Sequence, residues 1–195
     1  LADAFTPVAK GMTSEDANQN TYDGIQVHGG SGFMLEYACQ RLYRDARILS
    51  IYEGTTQLQT VAAGRYITNG FYGTVIADML QSGQAPASIG SDDWCAPEYI
   101  ALKEKCAKMA EKYNAAVAKV NDLKNDEFKD FCSRHLYEMA ADTIMGILIL
   151  RNATQRPDLF EKSAKVYVRY AAAEVEKHAD FVADAQPADL DNYRK

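Results

Sequence analysis

The chain has 195 residues, of which 47% are hydrophobic and 25% charged, the balance of an ordinary globular protein with one core or two small helical ones. Its formal charge of -6 argues against nucleic acid, because phosphate binding needs clustered Lys and Arg. No apolar run reaches the ~18 residues of a membrane span.

Four cysteines, Cys39, Cys95, Cys106 and Cys132, are spread without C-x-x-C or metal spacing and read as free thiols of a reducing, cytoplasmic setting. Leu1-Ala2-Asp3 lacks the basic start and apolar core of a signal peptide. With no initiator Met, the chain reads as a piece of a longer polypeptide.

From Leu1 to about Val27 the pattern is helical, with Phe5, Val8, Met12, Tyr22 and Ile25 on or near one face and Pro7 the one internal breaker. Its polar middle, Thr13 to Asn20, carries no apolar stripe. The glycine turn His28-Gly29-Gly30-Ser31-Gly32 stops this helix. A short helix follows over about Tyr37 to Ala46, and another runs from near Gly54 to about Asn69. Val75 to Leu80 adds a further turn or two. Gln81 to Ala96, rich in Gly, Ser, Pro and Asp, reads as a linker.

The remainder predicts three long helices. The first carries Tyr99, Leu102, Cys106, Met109, Tyr113, Val117 and Val120 at steps of three and four, with Pro97 in its opening turn. After Asn125-Asp126 the stripe is Phe128, Cys132, His135, Met139, Thr143, Ile147 and Leu150. The run Ile144 to Leu150 suits the central helix of a bundle. Asp158 and Glu161 have capping-box spacing at the start of the last helix, whose face is Phe160, Ala164, Tyr167, Ala171, Val175, His178 and Val182. No strand pattern appears, so the fold class is all-α, a helical bundle. The domains expected are 1–80, a linker 81–96 and a bundle 97–195.

Several motifs could carry chemistry. The glycine turn lacks the preceding strand of a dinucleotide fingerprint, so from its residues alone it is a helix stop. In Tyr52-Glu53-Gly54-Thr55, Glu53 stands just before a helix start, where a carboxylate can cap free N–H groups. Arg44, Asp45 and Arg47 read as a structural ion-pair network. A di-iron carboxylate site needs two Glu-x-x-His pairs, and the nearest case is the single i, i+4 pair Glu174 and His178, so no metal site is implied. His135 and His178 read as partly buried bundle residues.

Taken in order, Gln26-Val27-His28-Gly29-Gly30-Ser31-Gly32-Phe33, Glu36-Tyr37, Arg44-Asp45-Ala46-Arg47-Ile48 and Ile51-Tyr52-Glu53-Gly54-Thr55 resemble the C-terminal helical region of the acyl-CoA dehydrogenases, over about the first 70 residues. The part beyond Pro97 resembles the extra helical region of a longer bacterial subgroup, a three-helix extension for packing or subunit association. The resemblance implies FAD as cofactor and an acyl-CoA thioester as substrate, as in fatty acid β-oxidation. It also implies an electron-transfer flavoprotein as acceptor, and a homo-oligomer, dimer or tetramer.

Residue by residue, the resemblance makes Glu53 the general base that removes the α-proton, while Gly54 leaves room for the thioester. Gln26, Val27, His28, Gly29 and Gly30 would meet the adenosine diphosphate part of FAD. Thr55, Thr56 and Gln57 would face the flavin. Nothing here resembles the family's N-terminal helical or middle β domain. The expectation is therefore that this piece alone neither holds FAD tightly nor turns over an acyl-CoA. A non-catalytic helical association module, and an acyl-CoA oxidase sharing the base, are the alternatives.

Overall fold

The computed structural model describes residues 1–91 and 93–193; Asp92 of the expected linker and Arg194 and Lys195 of the expected bundle lie outside them. Among the described residues there are helices and turns and no strand, so the chain is all-α. Contacts divide it into two compact units, Leu1–Ala63 and Gly64–Lys195.

The first unit opens with α1 (Ala2–His28), a single helix through the polar middle that lacked a stripe. Its polar side chains turn back on its own carbonyls: Thr13 Oγ1 donates to Ala9 O, Ser14 Oγ to Lys10 O, Asn18 Nδ2 to Ser14 O and Thr21 Oγ1 to Ala17 O. Such back-bonding lets Ser and Thr sit inside a helix without competing partners. The buried stripe is not the large one expected. Ala4, Pro7, Val8, Gly11 and Ser14 are buried, while Tyr22 is exposed and Phe5, Met12 and Ile25 are half-buried. Small residues at steps of three and four let neighbouring backbone approach closely.

A single turn, α2 (Gly30–Phe33), follows, then α3 (Ala38–Arg47), which packs on α1 and runs into the 3-10 turn Ile48–Ser50. The helix α4 (Thr56–Thr68) carries the chain from one unit into the other.

In the second unit, α5 (Phe71–Ser82) is longer than the sequence suggested and packs on α6 (Ile100–Asp122) and α7 (Asp126–Gln155). It starts and ends on left-handed glycines, Gly70 at φ 80° and Gly83 at φ 74°, as helix boundaries favour. The stretch 81–96 is tied down at Trp94, which is buried, lies over Gly83 and donates its indole N–H to Leu80 O at 3.1 Å.

The helices α6, α7 and α8 (Pro157–Asp184) pack pairwise. The predicted α6 stripe is buried almost throughout, from Tyr99 to Val120. The middle helix is α7, buried on more than one face: besides the predicted stripe it hides Leu136, Tyr137, Ala140, Ala141 and Ile144. Gly146 makes room for α6, since a Cβ there would sit 3.2 Å from Cys106 Sγ. Asn125 caps α7, accepting from Phe128 N at 3.0 Å.

The capping box at the start of α8 does not form. Arg156 occupies the cap position and pairs with Asp158 at 2.9 Å, and Glu161 turns forward to Lys165. A basic partner within reach of each carboxylate outcompetes the reciprocal backbone bonds. All four cysteines are free thiols. No helix among the described residues is long and apolar enough to cross a membrane.

Candidate functional site

The glycine turn is a junction between helices rather than a plain stop. Gly29 leaves helical geometry at φ 56° and ψ -139°, and the chain then re-enters one helical turn at Gly30. Gly32 is buried because a Cβ there would lie 2.5 Å from Ile25 O, so only glycine lets α2 fold back on the end of α1. Gln26, Val27, His28, Gly29 and Gly30 are all exposed, and Cβ atoms added at Gly29 and Gly30 would meet open space. His28 Nδ1 lies 2.8 Å from Gly24 O. A carbonyl only accepts, so Nδ1 carries the hydrogen in this bond.

The Glu53 segment is shaped by the 3-10 turn before it. Ile51 N and Tyr52 N both return to Ile48 O, at 2.9 and 3.0 Å. The chain then passes through Glu53 at φ 53° and Gly54 at φ 91°. A left-handed glutamate costs about 1 kcal/mol, and such strain persists only where the surroundings impose it. A Cβ at Gly54 would stand 2.6 Å from Gln59 Nε2. The Gly54 carbonyl accepts from two side chains, Lys10 Nζ of α1 and Gln59 Nε2 of α4, the latter at 3.3 Å.

Thr55 caps α4, its Oγ1 accepting from Leu58 N at 3.2 Å. The capping role that a lone Glu53 could have taken is therefore filled by Thr55, and the Glu53 side chain is exposed. It lines an open depression of about 340 Å³ with Lys10, Thr13, Ser14, Leu49 and Tyr52. The three residues that follow divide: Gln57 is exposed, Thr55 half-buried, and Thr56 is 6% exposed and donates to Glu15 Oε1 at 2.5 Å. The Thr56 side chain is thus turned inward against α1.

The expected ion-pair network on α3 is not present. Arg44, Asp45 and Arg47 are exposed and, among the described residues, form no ion pair; Arg47 donates to Ser50 Oγ instead. Adjacent positions on a helix point to different sides, so Asp45 faces neither arginine.

Sequence reasoning passed over Lys10 and Gln59. Lys10 was visible as the one basic side chain before His28 in a helix carrying Asp3, Glu15, Asp16 and Asp23. Gln59 gave no signal.

A second polar cluster lies inside the bundle. His135 Nδ1 and His178 Nδ1 are 2.8 Å apart, and His178 Nε2 is 2.7 Å from Glu138 Oε2. Arg134 pairs with the other Glu138 oxygen, and His135 stacks on Phe181 at 3.9 Å between centroids. Burial would raise the Glu138 carboxyl, but the bonds from His178 and Arg134 prevail and hold it at about 2. Burial, then the neighbouring His178, lowers His135. Among the described residues no group of His, Cys, Asp and Glu is placed to hold a metal.

The C-terminal domain model of acyl-CoA dehydrogenases matches residues 2–67, and a second model described as acyl-CoA dehydrogenase C terminal matches residues 68–190. The chain is similar to 3-methylmercaptopropionyl-CoA dehydrogenase of Ruegeria pomeroyi, 48% identical over 59 residues, covering 30% of this chain and 10% of that protein. It is 46% identical over 52 residues to a caffeyl-CoA reductase-Etf complex subunit of Acetobacterium woodii, covering 27% of this chain and 14% of that one. The matched segment is thus a small part of either curated relative. A solved acyl-CoA dehydrogenase family protein from Porphyromonas gingivalis is 35% identical with a TM-score of 0.55, covering 65% of this chain and 99% of that one. With family models meeting end to end at residues 67 and 68, the chain belongs to the acyl-CoA dehydrogenase family.

Proposed function

We propose that this chain supplies the general base and one edge of the cofactor site of an FAD-dependent acyl-CoA dehydrogenase. The observation that carries the reading is Glu53: a carboxylate presented on an open depression, in a strained backbone conformation, with helix capping left to Thr55. Strain retained at an exposed acidic residue is characteristic of a working site.

The residues present suit part of a dinucleotide. Exposed glycines Gly29 and Gly30, with open space above them, allow backbone to approach a diphosphate closely, and the exposed Gln26 amide offers an N–H donor beside it. FAD, when bound, supplies the hydride acceptor. Thr55 and Gln57 are the outward candidates on the first turn of α4, while Thr56 supports that turn from behind.

On the protein side, Glu53 takes the α-proton of the acyl-CoA thioester as the β-hydrogen departs as hydride. Charge developing on the thioester oxygen needs N–H donors, and we assign the Glu53 backbone N–H as one of them beside Gly54. In the reverse direction, protonated Glu53 would return the proton to the α-carbon, the sense of reaction that the name of the Acetobacterium relative implies for that protein. The acceptor we assign is an electron-transfer flavoprotein, again in line with that relative's name. A homo-oligomer, fatty-acyl substrates and a cytoplasmic setting complete the reading.

The test is Glu53→Gln in the complete polypeptide. Turnover and exchange of the substrate α-proton should fall by about 10²–10⁴-fold, the usual reach of a general base. Unchanged α-proton exchange would end the assignment. The 195-residue chain alone should give no FAD retention on gel filtration and no acyl-CoA-dependent dye reduction.

A second reading, an association module, draws on the apolar surface of the first unit, where Val27, Phe33, Met34 and Leu35 are exposed. Normal turnover of Glu53→Gln combined with loss of assembly on changing Leu35 would favour it.

A further inference from the structure

We propose that Lys10 is a positioning residue for the base: by gripping the Gly54 carbonyl it holds Glu53 in its left-handed conformation at the rim of the depression. The proposal rests on Glu53 being the base. It stands on the geometry of one peptide group. The carbonyl between Gly54 and Thr55 accepts Lys10 Nζ from α1 and Gln59 Nε2 from α4. Two donors on separate helices converge on one oxygen, which fixes the peptide plane on both sides. The two residues with positive φ, Glu53 and Gly54, lie immediately before that plane. Without the grip, nothing in the local sequence favours left-handed geometry at a glutamate, and the segment would relax toward ordinary backbone.

The ammonium contributes more than geometry. A charged donor to a carbonyl is worth more than a neutral one, so Lys10 is the stronger of the two holds. Its head also lines the same depression as Glu53, on a helix whose other ionisable side chains before His28 are acidic. Ser14, 4% exposed, donates to Lys10 O and fastens the backbone beneath it. The arrangement spans 44 residues of sequence, so it forms only once α1 and the entry to α4 have come together.

Lys10→Met keeps the length and apolar stem and removes the donor. In the complete polypeptide loaded with FAD, it should lower kcat by about 10–100-fold, the cost of a base displaced by roughly an ångström, with KM changed less than about threefold. Lys10→Arg should recover most of the loss, and Gln59→Met should give a smaller loss in the same direction. A purely structural lysine would lower the melting temperature and the amount of folded protein without that split between kcat and KM.

A second readout needs no activity. In the isotope-labelled 195-residue chain, the Gly54 carbonyl-carbon NMR signal should move upfield in Lys10→Met and return in Lys10→Arg. If that signal does not move, Lys10 does not hold the carbonyl, and the proposal is overturned whatever the kinetics. If it moves but kcat stays within twofold while Glu53→Gln abolishes turnover, the base assignment stands and the positioning role falls. If Glu53→Gln itself leaves turnover intact, the base reading fails, and with it the role of Lys10, even where the carbonyl signal responds.

Discussion

The two units of this chain bury different kinds of residue. In the second, Gly64–Lys195, the largest side chains that are wholly enclosed include Tyr72, Tyr99, Tyr113, Tyr137 and Phe128. In the first, Leu1–Ala63, the buried positions are small, such as Ala4, Val8, Gly11, Ser14 and Ala46, while Val27 at 84%, Phe33 at 78% and Leu35 at 82% stand in the open. One unit closes its own core. The other keeps its large apolar side chains for contacts that its own residues do not supply, and it is the unit that carries Glu53 and the glycine junction.

The contrast can be broken by substitution. The largest effect is expected at Phe128→Ala, which opens a cavity at a wholly enclosed position of the second unit and should cost about 3–5 kcal/mol in urea unfolding. Next is Glu138→Ala, which strands a buried His178 and the Arg134 partner. A loss of about 3 kcal/mol is expected, as for a partly buried ion pair deprived of one member.

Third is pH. The lowered His135 means that the folded bundle binds fewer protons there than the unfolded chain, so its contribution is complete above the ordinary value of 6.5 and is lost as pH falls through it. The depressed Glu138 acts lower down, stabilising above the ordinary 4.5 and losing that contribution as pH falls toward 2. The melting temperature should decline from pH 7 to 5, and His135→Phe should flatten that decline; an identical slope in both proteins would show that the pair does not govern it.

The smallest effect is expected at Leu35→Ser, a change of no more than about 0.5 kcal/mol, with reduced binding of a hydrophobic dye. If that substitution destabilised the chain as much as Phe128→Ala, the first unit would have a closed core and the comparison would fail.

The bundle was largely legible from sequence because its helices are long and their stripes repeat at steps of three and four. What the pattern missed there reflects burial on a second face: Leu136, Tyr137 and Ala140 lie off the predicted stripe because α7 is covered by several neighbours at once. In the first unit the periodicity misled. Tyr22 and Ile25 looked like core and are not, because an apolar residue signals the wish for a partner without saying whether the partner belongs to the same unit.

The candidate site was expected at Glu53 and from Gln26 to Gly30 only through the family resemblance that the ordered motifs carry; from the residues alone these positions read as a cap and a helix stop. Composition and local pattern were enough for the all-α class, the helical entry at Pro97, the break at Asn125-Asp126 and the turn at Gly29, since these depend on backbone preferences of a few neighbouring residues. Local competition left open whether Glu53 or Thr55 caps α4 and whether Asp158 and Glu161 bond backbone or basic neighbours, while only the tertiary structure decided that Lys10 reaches the Gly54 carbonyl, that Thr56 meets Glu15 and that His135 meets His178. Each of these tertiary contacts joins residues far apart in the chain that become neighbours only after folding, and a linear sequence does not record which of them come within reach.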